Sequence, residues 1–338
     1  MAGKGIAIVA ALASFAVPAE ASAQTGRDLL IDVAELASII DSRDLVLLHV
    51  GDRAEYDAVH IEGARYVQLA DISAPRDAGP ALELPAPEAL RSTLQSLGVS
   101  DDSRIVVYFG NDWVTPATRV VLTLTWAGLG ERTRLLDGGM NAWRAAGHEV
   151  TASAPPPLTG TLSPLRTRPV VATADDVRAH LNGAGYAVVD ARAPRFYEGA
   201  YEQRGEERPG RIAGARSVPF TDVVDDALRM KDADALRALF RQAGVQPTDT
   251  VIAYCHIGQQ ATAVVFAARL IGQPVLLYDG SYTQWGSNPE LPIEKGMPGG
   301  EGDTAAGGAA VRVSERPSLP RLLASPLLSA ARSRAFGR

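Results

Sequence analysis

Cysteine is nearly absent: Cys255 is the single one in 338 residues, so no disulfide can form within the chain and stability must come from packing. Long apolar runs are missing beyond the first two dozen residues, and nothing later is long enough to anchor a mature chain in a bilayer, which takes roughly 20 apolar residues. Positive charge is also short. With 33 Lys and Arg against 39 Asp and Glu, the formal net charge of −6 offers no footprint for nucleic acid. The five histidines and one cysteine fall at no zinc-ligand spacing, so neither a metal nor another cofactor is expected. What remains is 46% hydrophobic and 21% charged, ordinary for a globular chain with room for two cores. Typical domains run to about 100 to 150 residues.

The chain begins "MAGKGIAIVAALASFAVPAEASAQ". Lys4 supplies a positive start, Gly5 to Val17 an apolar run, and Ala21-Ser22-Ala23 a small-x-small cleavage signal. Residues 1–23 therefore read as a signal peptide cut after Ala23, and the mature protein is expected to be periplasmic or secreted, without stable membrane insertion. An unpaired cysteine in that setting is a candidate reactive thiol.

Self-similarity organises the rest. "RIVVYFGNDWVTPATRVVLTLTWAGLGERTRLLDGGMNAW", from Arg104, aligns with "TVIAYCHIGQQATAVVFAARLIGQPVLLYDGSYTQW", from Thr250. Each is an apolar strand, a polar loop, an apolar helix, a second strand, and Asp-Gly leading to Trp. The upstream stretches "DLVLLHVGDRAEYDAVHIEGARYVQL" and "YAVVDARAPRFYEGAYEQRGEERPGRIAGARSVPF" match as well. The chain is a tandem duplication: residues 24–151 and 170–296 are two α/β domains, each a mostly parallel sheet flanked by helices. Each half is expected to run helix, strand, short helix, strand, helix, strand, loop, helix, strand, helix. Thr173 and Asp176 form a capping box that starts the first helix of the second half. Pro- and Thr-rich residues 152–169 read as an extended surface linker, and Gly-rich 297–338 as a disordered tail.

In parallel sheets, sites form where strands run into helices at their carboxyl ends. Cys255 ends the strand "VIAY", and the helix "ATAVVFAARL" follows about six residues later. The intervening loop, His256, Ile257, Gly258, Gln259 and Gln260, can wrap its amides around the sulfur, with Gly258 adopting a conformation closed to other residues. A helix N-terminus favours the thiolate, the nucleophilic form. The alternative for a free cysteine is a small buried core residue.

The tandem halves and the strand–Cys–loop–helix unit resemble the two-domain rhodanese family, the thiosulfate and 3-mercaptopyruvate sulfurtransferases. "YDAVHIEGARYV" (Tyr56 to Val67) is similar to that family's His-Ile-Pro-Gly-Ala motif, with Glu62 in place of Pro. "VLLYDGSYTQW" (Val275 to Trp285) is similar to its C-terminal signature, with Tyr282 and Gln284 replacing the usual aromatic and Glu. The first half departs in three ways. Phe109 stands opposite Cys255; His49-Val50-Gly51 replaces the Asp-x-Arg that the second half keeps as Asp190-Ala191-Arg192; and the loop is longer. That half is expected to be an inactive partner forming one wall of the cleft.

The resemblance implies covalent sulfur transfer without cofactor or metal. Cys255 takes the outer sulfur of a small anionic donor and passes it, as a persulfide, to a thiophilic acceptor such as cyanide or a thiol. The resemblance implies Arg195 as the donor-binding cation, although one residue is deleted relative to the usual spacing, and Arg192 as a second substrate cation or a loop support paired with acids. His256 stands where thiosulfate-type members carry Arg and is a candidate partial positive charge. Cys-His-Ile-Gly-Gln-Gln matches neither the Cys-Arg-Lys-Gly loop of thiosulfate members nor the Cys-Gly-Ser/Thr-Gly loop of mercaptopyruvate members. Thiosulfate is the expected donor, mercaptopyruvate the alternative. His60 matches a histidine that mercaptopyruvate members use from the first domain, yet its motif also occurs in inactive domains, and it is read as a supporting residue with Asp190.

Cysteine phosphatases need Cys-x5-Arg, and that count from Cys255 lands on Ala261. A non-enzymatic alternative is an exported persulfide carrier or redox sensor that serves a protein partner of unknown identity. The insert "YEQRGEERPGR", Tyr201 to Arg211, replaces the turn expected in the second half and is a candidate lid.

Overall fold

Apolar, β-branched stretches such as "LVLLHV" and "RIVVYF" have few polar residues on either face, which suits strands covered by helices on both sides. The structure, a computed structural model, describes residues 29–75, 82–111, 113–200 and 207–296. The expected leader, the tail and residues 201–206 of the insert lie outside them. The first half comprises β1 (Leu30–Ile31), α1 (Val33–Ile39), β2 (Leu45–Val50), α2 (Arg53–Ala58), β3 (Arg65–Val67), α3 (Pro87–Ser96), β4 (Arg104–Phe109), α4 (Thr115–Trp126), β5 (Thr133–Leu136) and α5 (Gly139–Ala145). The second comprises β6 (Val171–Ala172), α6 (Ala174–Ala179), β7 (Tyr186–Asp190), α7 (Pro194–Tyr197), β8 (Arg211–Ile212), β9 (Arg216–Ser217), α8 (Ala233–Gln242), β10 (Thr250–Tyr254), α9 (Ala261–Leu270), β11 (Val275–Tyr278), α10 (Ser281–Ser287) and β12 (Ile293–Glu294).

The duplication is visible in the sheets. Each half holds a five-stranded sheet, ordered β1-β5-β4-β2-β3 and β6-β11-β10-β7-β9, with every pairing parallel. Both sheets open with a two-residue edge strand, "LI" and "VA", that periodicity does not foresee. The order reverses between β2 and β4, and again between β7 and β10, so each half has a topological switch point where a crevice opens beyond the strand ends. Asp190-Ala191-Arg192 leaves β7 and Cys255 leaves β10 at the second of these points. The capping box forms as expected: the Thr173 hydroxyl accepts from the Asp176 amide, and the Asp176 carboxylate accepts from the Thr173 amide at 2.8 Å.

Helices α4 and α9 join the halves. They are buried along most of their length, and one apolar cluster runs from Phe109, Val120 and Val121 through to Val264, Val265 and Cys255. At the contact the Thr118 and Thr262 hydroxyls, equivalent positions of the repeat, lie 2.7 Å apart.

Residues 152–169 form no helix or strand and are strapped to the first half. Gly160 donates to the Gln95 carbonyl at 2.8 Å, Asp101 accepts from the Ser163 amide and hydroxyl at 2.9 and 2.6 Å, and Arg168 donates to the Trp126 carbonyl at 2.7 Å. Gly160 packs so tightly that an added Cβ would lie 2.0 Å from the Val99 carbonyl oxygen. Among the described residues, no helix is long and apolar enough to cross a membrane.

Candidate active site

Cys255 follows β10 directly and is fully buried. Its amide donates to Ser281 Oγ at 3.2 Å, and its carbonyl accepts from the Tyr282 amide at 2.9 Å, so the start of α10 clamps the cysteine backbone. Ser281 holds a left-handed backbone with φ 51°, and its hydroxyl donates to the Tyr278 carbonyl at 2.8 Å. A non-glycine residue in that region is costly by about 1 to 3 kcal/mol and persists where the surroundings over-determine it.

The loop that follows presents its backbone donors unspent. Among the described residues, the N–H groups from His256 to Ala261 donate to no protein oxygen, and α9 begins at Ala261. Successive free amides at a helix N-terminus form a site for an anion. Gly258 makes the curl possible: φ is +79°, and a Cβ there would lie 2.5 Å from Asp279 Oδ1. The expected backbone conformation is found, and the lack of space for a side chain is a second constraint that the sequence did not show.

The first half shows what the same scaffold does without a nucleophile. Phe109 ends β4, and Gly139, the counterpart of Ser281, is cut away for it: a Cβ there would lie 2.8 Å from the Phe109 ring. Two of the loop amides are spent. Gly110 donates to the Val50 carbonyl at 3.1 Å and Asn111 to the Glu55 carboxylate at 3.2 Å, so a side-chain anion stands at the loop. His49, the counterpart of Asp190, is buried with neither ring nitrogen partnered. Burial, then the charge of His60, push its imidazole down to about 4.

Arg192, expected as a substrate cation, is not available to one. It is fully buried and grips Asp190 with Nε and Nη2 at 2.9 and 2.6 Å, while Nη2 also donates to the Gly210 carbonyl at 2.7 Å. Its guanidinium lies 3.9 Å from the Tyr282 ring centroid. Burial alone lowers an arginine pKa, but the Asp190 charge and its hydrogen bonds outweigh that and raise it. The Tyr254 hydroxyl completes the group by donating to Asp190 Oδ2 at 2.8 Å. The alternative role, loop support paired with an acid, is the one observed, and Asp190 is the support foreseen.

Arg195, on the four-residue α7, is exposed beside Phe196. Phe196 in turn meets the His256 ring edge-on at 4.6 Å. His256 does not supply the expected positive charge: burial, then the Arg192 guanidinium, push it down to about 4, and it is neutral at pH 7. Ile257 is half-buried, the Gln259 amide reaches Thr115 Oγ1 of the first half at 3.4 Å, and Gln260 Oε1 is buried without a partner. His60 is committed within the first half, its ring nitrogens 2.7 Å from the Tyr56 carbonyl and 3.2 Å from the Ser153 carbonyl, with its ring stacked on Tyr56. It fastens the linker and is not brought to the Cys255 loop.

The first half also reaches the second through an aromatic contact. Trp113, exposed at 43%, leaves its loop to meet Phe220 of the second half edge-on at 5.4 Å, and Phe220 is bonded to the Ala191 carbonyl. The described end of the insert is tied to α10 and its flank: Thr283 Oγ1 donates to Glu207 at 2.7 Å and Arg208 to the Leu291 carbonyl at 2.8 Å. The lid expectation falls mainly on residues 201–206, outside the described residues. Sequence reasoning missed Ser281, Arg119 and Asp279. The repeated Asp-Gly was visible as a motif, but a serine after it and an arginine on the other half's helix carry no local signal.

A family model for the rhodanese-like domain matches residues 32–146 and 173–288. The putative thiosulfate sulfurtransferase SseB of Mycobacterium tuberculosis is 33% identical over 285 residues, 81% of this chain and 99% of that protein. A probable 3-mercaptopyruvate sulfurtransferase of Pseudomonas aeruginosa is 32% identical over 79% of this chain and 98% of its own length. The sulfur carrier protein TtuD of Thermus thermophilus is 32% identical over 71% and 87%. Among solved structures, the YnjE crystal structure superposes with a TM-score of 0.71 at 24% identity, over 80% of this chain and 69% of that one, a likeness of fold.

Proposed function

This chain belongs to the rhodanese family, two of whose domains it carries in tandem, and from that premise we propose that it is a sulfurtransferase taking sulfane sulfur from thiosulfate through a persulfide on Cys255. The observation that carries the reading is the run of unspent amides from His256 to Ala261 that directly follows the chain's single thiol. In the first step the Cys255 thiolate attacks the outer sulfur of thiosulfate; the donor's S–S bond breaks and sulfite leaves with the electron pair. The new Cys255–S–S⁻ anion sits among the loop amides, which stabilise the same charge before and after transfer. In the second step cyanide or a thiolate takes the terminal sulfur and Cys255 leaves as thiolate. Arg195 is the exposed cation that meets the donor's sulfonate; His256, being neutral, contributes the wall of a partly apolar pocket.

Mercaptopyruvate finds less support, because His60 is held by the Tyr56 carbonyl and the linker's Ser153 carbonyl. The deciding experiment is the intact mass of the protein after incubation with thiosulfate and, separately, with mercaptopyruvate, beside Cys255→Ser. A gain of one sulfur from thiosulfate, absent in the variant and removed by cyanide, is expected. No gain from either donor overturns the reading.

A carrier role is the second reading. It is favoured by the complete burial of Cys255, which obliges any acceptor to engage a moving loop. A carrier would release sulfur to a protein partner far faster than to cyanide. Export is part of the proposal: cell fractionation with N-terminal sequencing is expected to find mature chain beginning at Gln24 outside the cytoplasm, and full-length chain in the cytoplasm overturns it.

A further inference from the structure

The repeat places Arg119 and Ala263 at equivalent positions, each following one of the paired threonines Thr118 and Thr262. The two halves use that position differently. Ala263 reaches nothing polar, whereas Arg119 crosses to the second half, fully buried. Its Nη1 lies 2.5 Å from Asp279 Oδ1 and 3.3 Å from the Gly258 carbonyl; Nη2 lies 3.1 Å from Asp279 Oδ2 and also meets the Leu82 carbonyl. Asp137, the repeat counterpart of Asp279, feels the charge of Arg229 but forms no ion pair with it, and accepts instead from the Met230 amide at 2.9 Å. Among the described residues, an arginine bonded to this aspartate is found on the side where the loop carries the cysteine.

Resting on the sulfurtransferase reading, we propose that Arg119 is a positioning residue for the transfer, supplied by the half without a nucleophile: it holds the Gly258 peptide so that the amide run stays turned toward the sulfur. A peptide is planar and trans, so its C=O and N–H point in opposite directions. Holding the Gly258 carbonyl on the guanidinium turns the Gln259 N–H away from Arg119 and leaves it among the unspent donors. Asp279 works from the other side. It fixes the guanidinium by two bonds, and it packs where a side chain at residue 258 would sit.

The test compares Arg119→Met and Asp279→Asn with Thr125→Val. Thr125 accepts from Arg269 across the same helix contact at 2.9 Å but lies away from the loop, so its variant reports a weakened interface alone. Single-turnover persulfide formation, per folded molecule at saturating thiosulfate, is expected to fall about tenfold or more in Arg119→Met. The half-saturating thiosulfate concentration is expected to change less than twofold, and Thr125→Val to keep the wild-type rate. Iodoacetamide alkylation of Cys255 is measured in parallel. An Arg119→Met protein that folds and keeps the wild-type rate overturns the assignment, as does an equal loss in Thr125→Val. If the wild type gains no sulfur, the sulfurtransferase reading fails by itself. The alkylation ratio then still decides for Arg119: a severalfold change supports the positioning role and an unchanged ratio refutes it.

Discussion

Replacing Arg192 with Leu separates a structural arginine from a substrate-binding one. Both Arg192 and Asp190 are fully buried, and the fork is two-pronged with contacts of 2.9 and 2.6 Å. Removing the guanidinium leaves the carboxylate in the core with only the Arg192-position amide and the Tyr254 hydroxyl as donors. Breaking a buried pair from one side costs about 3 to 5 kcal/mol. At roughly 2 to 4 °C per kcal/mol, the slope for domains of about 150 to 250 residues, the melting temperature should drop by about 6 to 20 °C. Arg192→Lys keeps the charge but loses the fork and should fall between the two. The assay is thermal unfolding followed by ring fluorescence, together with the thiosulfate KM measured well below the transition. Unchanged melting with a tenfold rise in KM would refute the argument, because it would mean that Arg192 meets the donor after all.

Gly258→Ala forces a Cβ to within 2.5 Å of Asp279 Oδ1 in a left-handed backbone. A cost of about 1 to 3 kcal/mol in a urea melt and loss of persulfide formation are expected; wild-type rates in that variant would show that the loop tolerates another path. Phe109→Cys in a Cys255→Ser background should gain no sulfur from thiosulfate, because the Gly110 and Asn111 amides are already taken; a mass gain would refute that account. As with the like-shifted His256, part of the pH dependence follows from His49. Its folded value, about 4, lies below the unfolded value near 6.5, so the unfolded chain binds more protons between them. Stability is therefore full above about pH 6.5 and falls as pH drops toward 4, by about 3 kcal/mol from this group. His49→Phe should flatten that decline in urea melts at pH 7.5 and 4.5, and an unaltered slope would count against it.

The α/β class, the tandem repeat and the nucleophile's place at a strand end were legible because they rest on apolar periodicity and on one residue type that occurs once. The helix starts at Ala261, as the pattern indicated, and Phe109 stands at the end of β4 as Cys255 stands after β10. His256 was misjudged because a sequence shows charge but not burial, and the same limit left Arg192 open between a substrate cation and an acid-paired support. Asp190, two residues from Arg192, was the visible partner, yet only the structure shows that the pair is sealed by Tyr254 and Tyr282. Arg119 was invisible for another reason, because its partner lies 160 residues away on the other half and no spacing rule spans that distance.

The filled loop of the first half also bears on the chain's history. Three features depend on one another there: the Phe109 ring, the glycine at 139 that makes room for it, and the Glu55 carboxylate on the Asn111 amide. Restoring a thiol alone would leave a hole above Gly139 and an occupant on the donors. A return to the layout of the second half therefore takes substitutions at 109, 139 and 55 together, not one at a time.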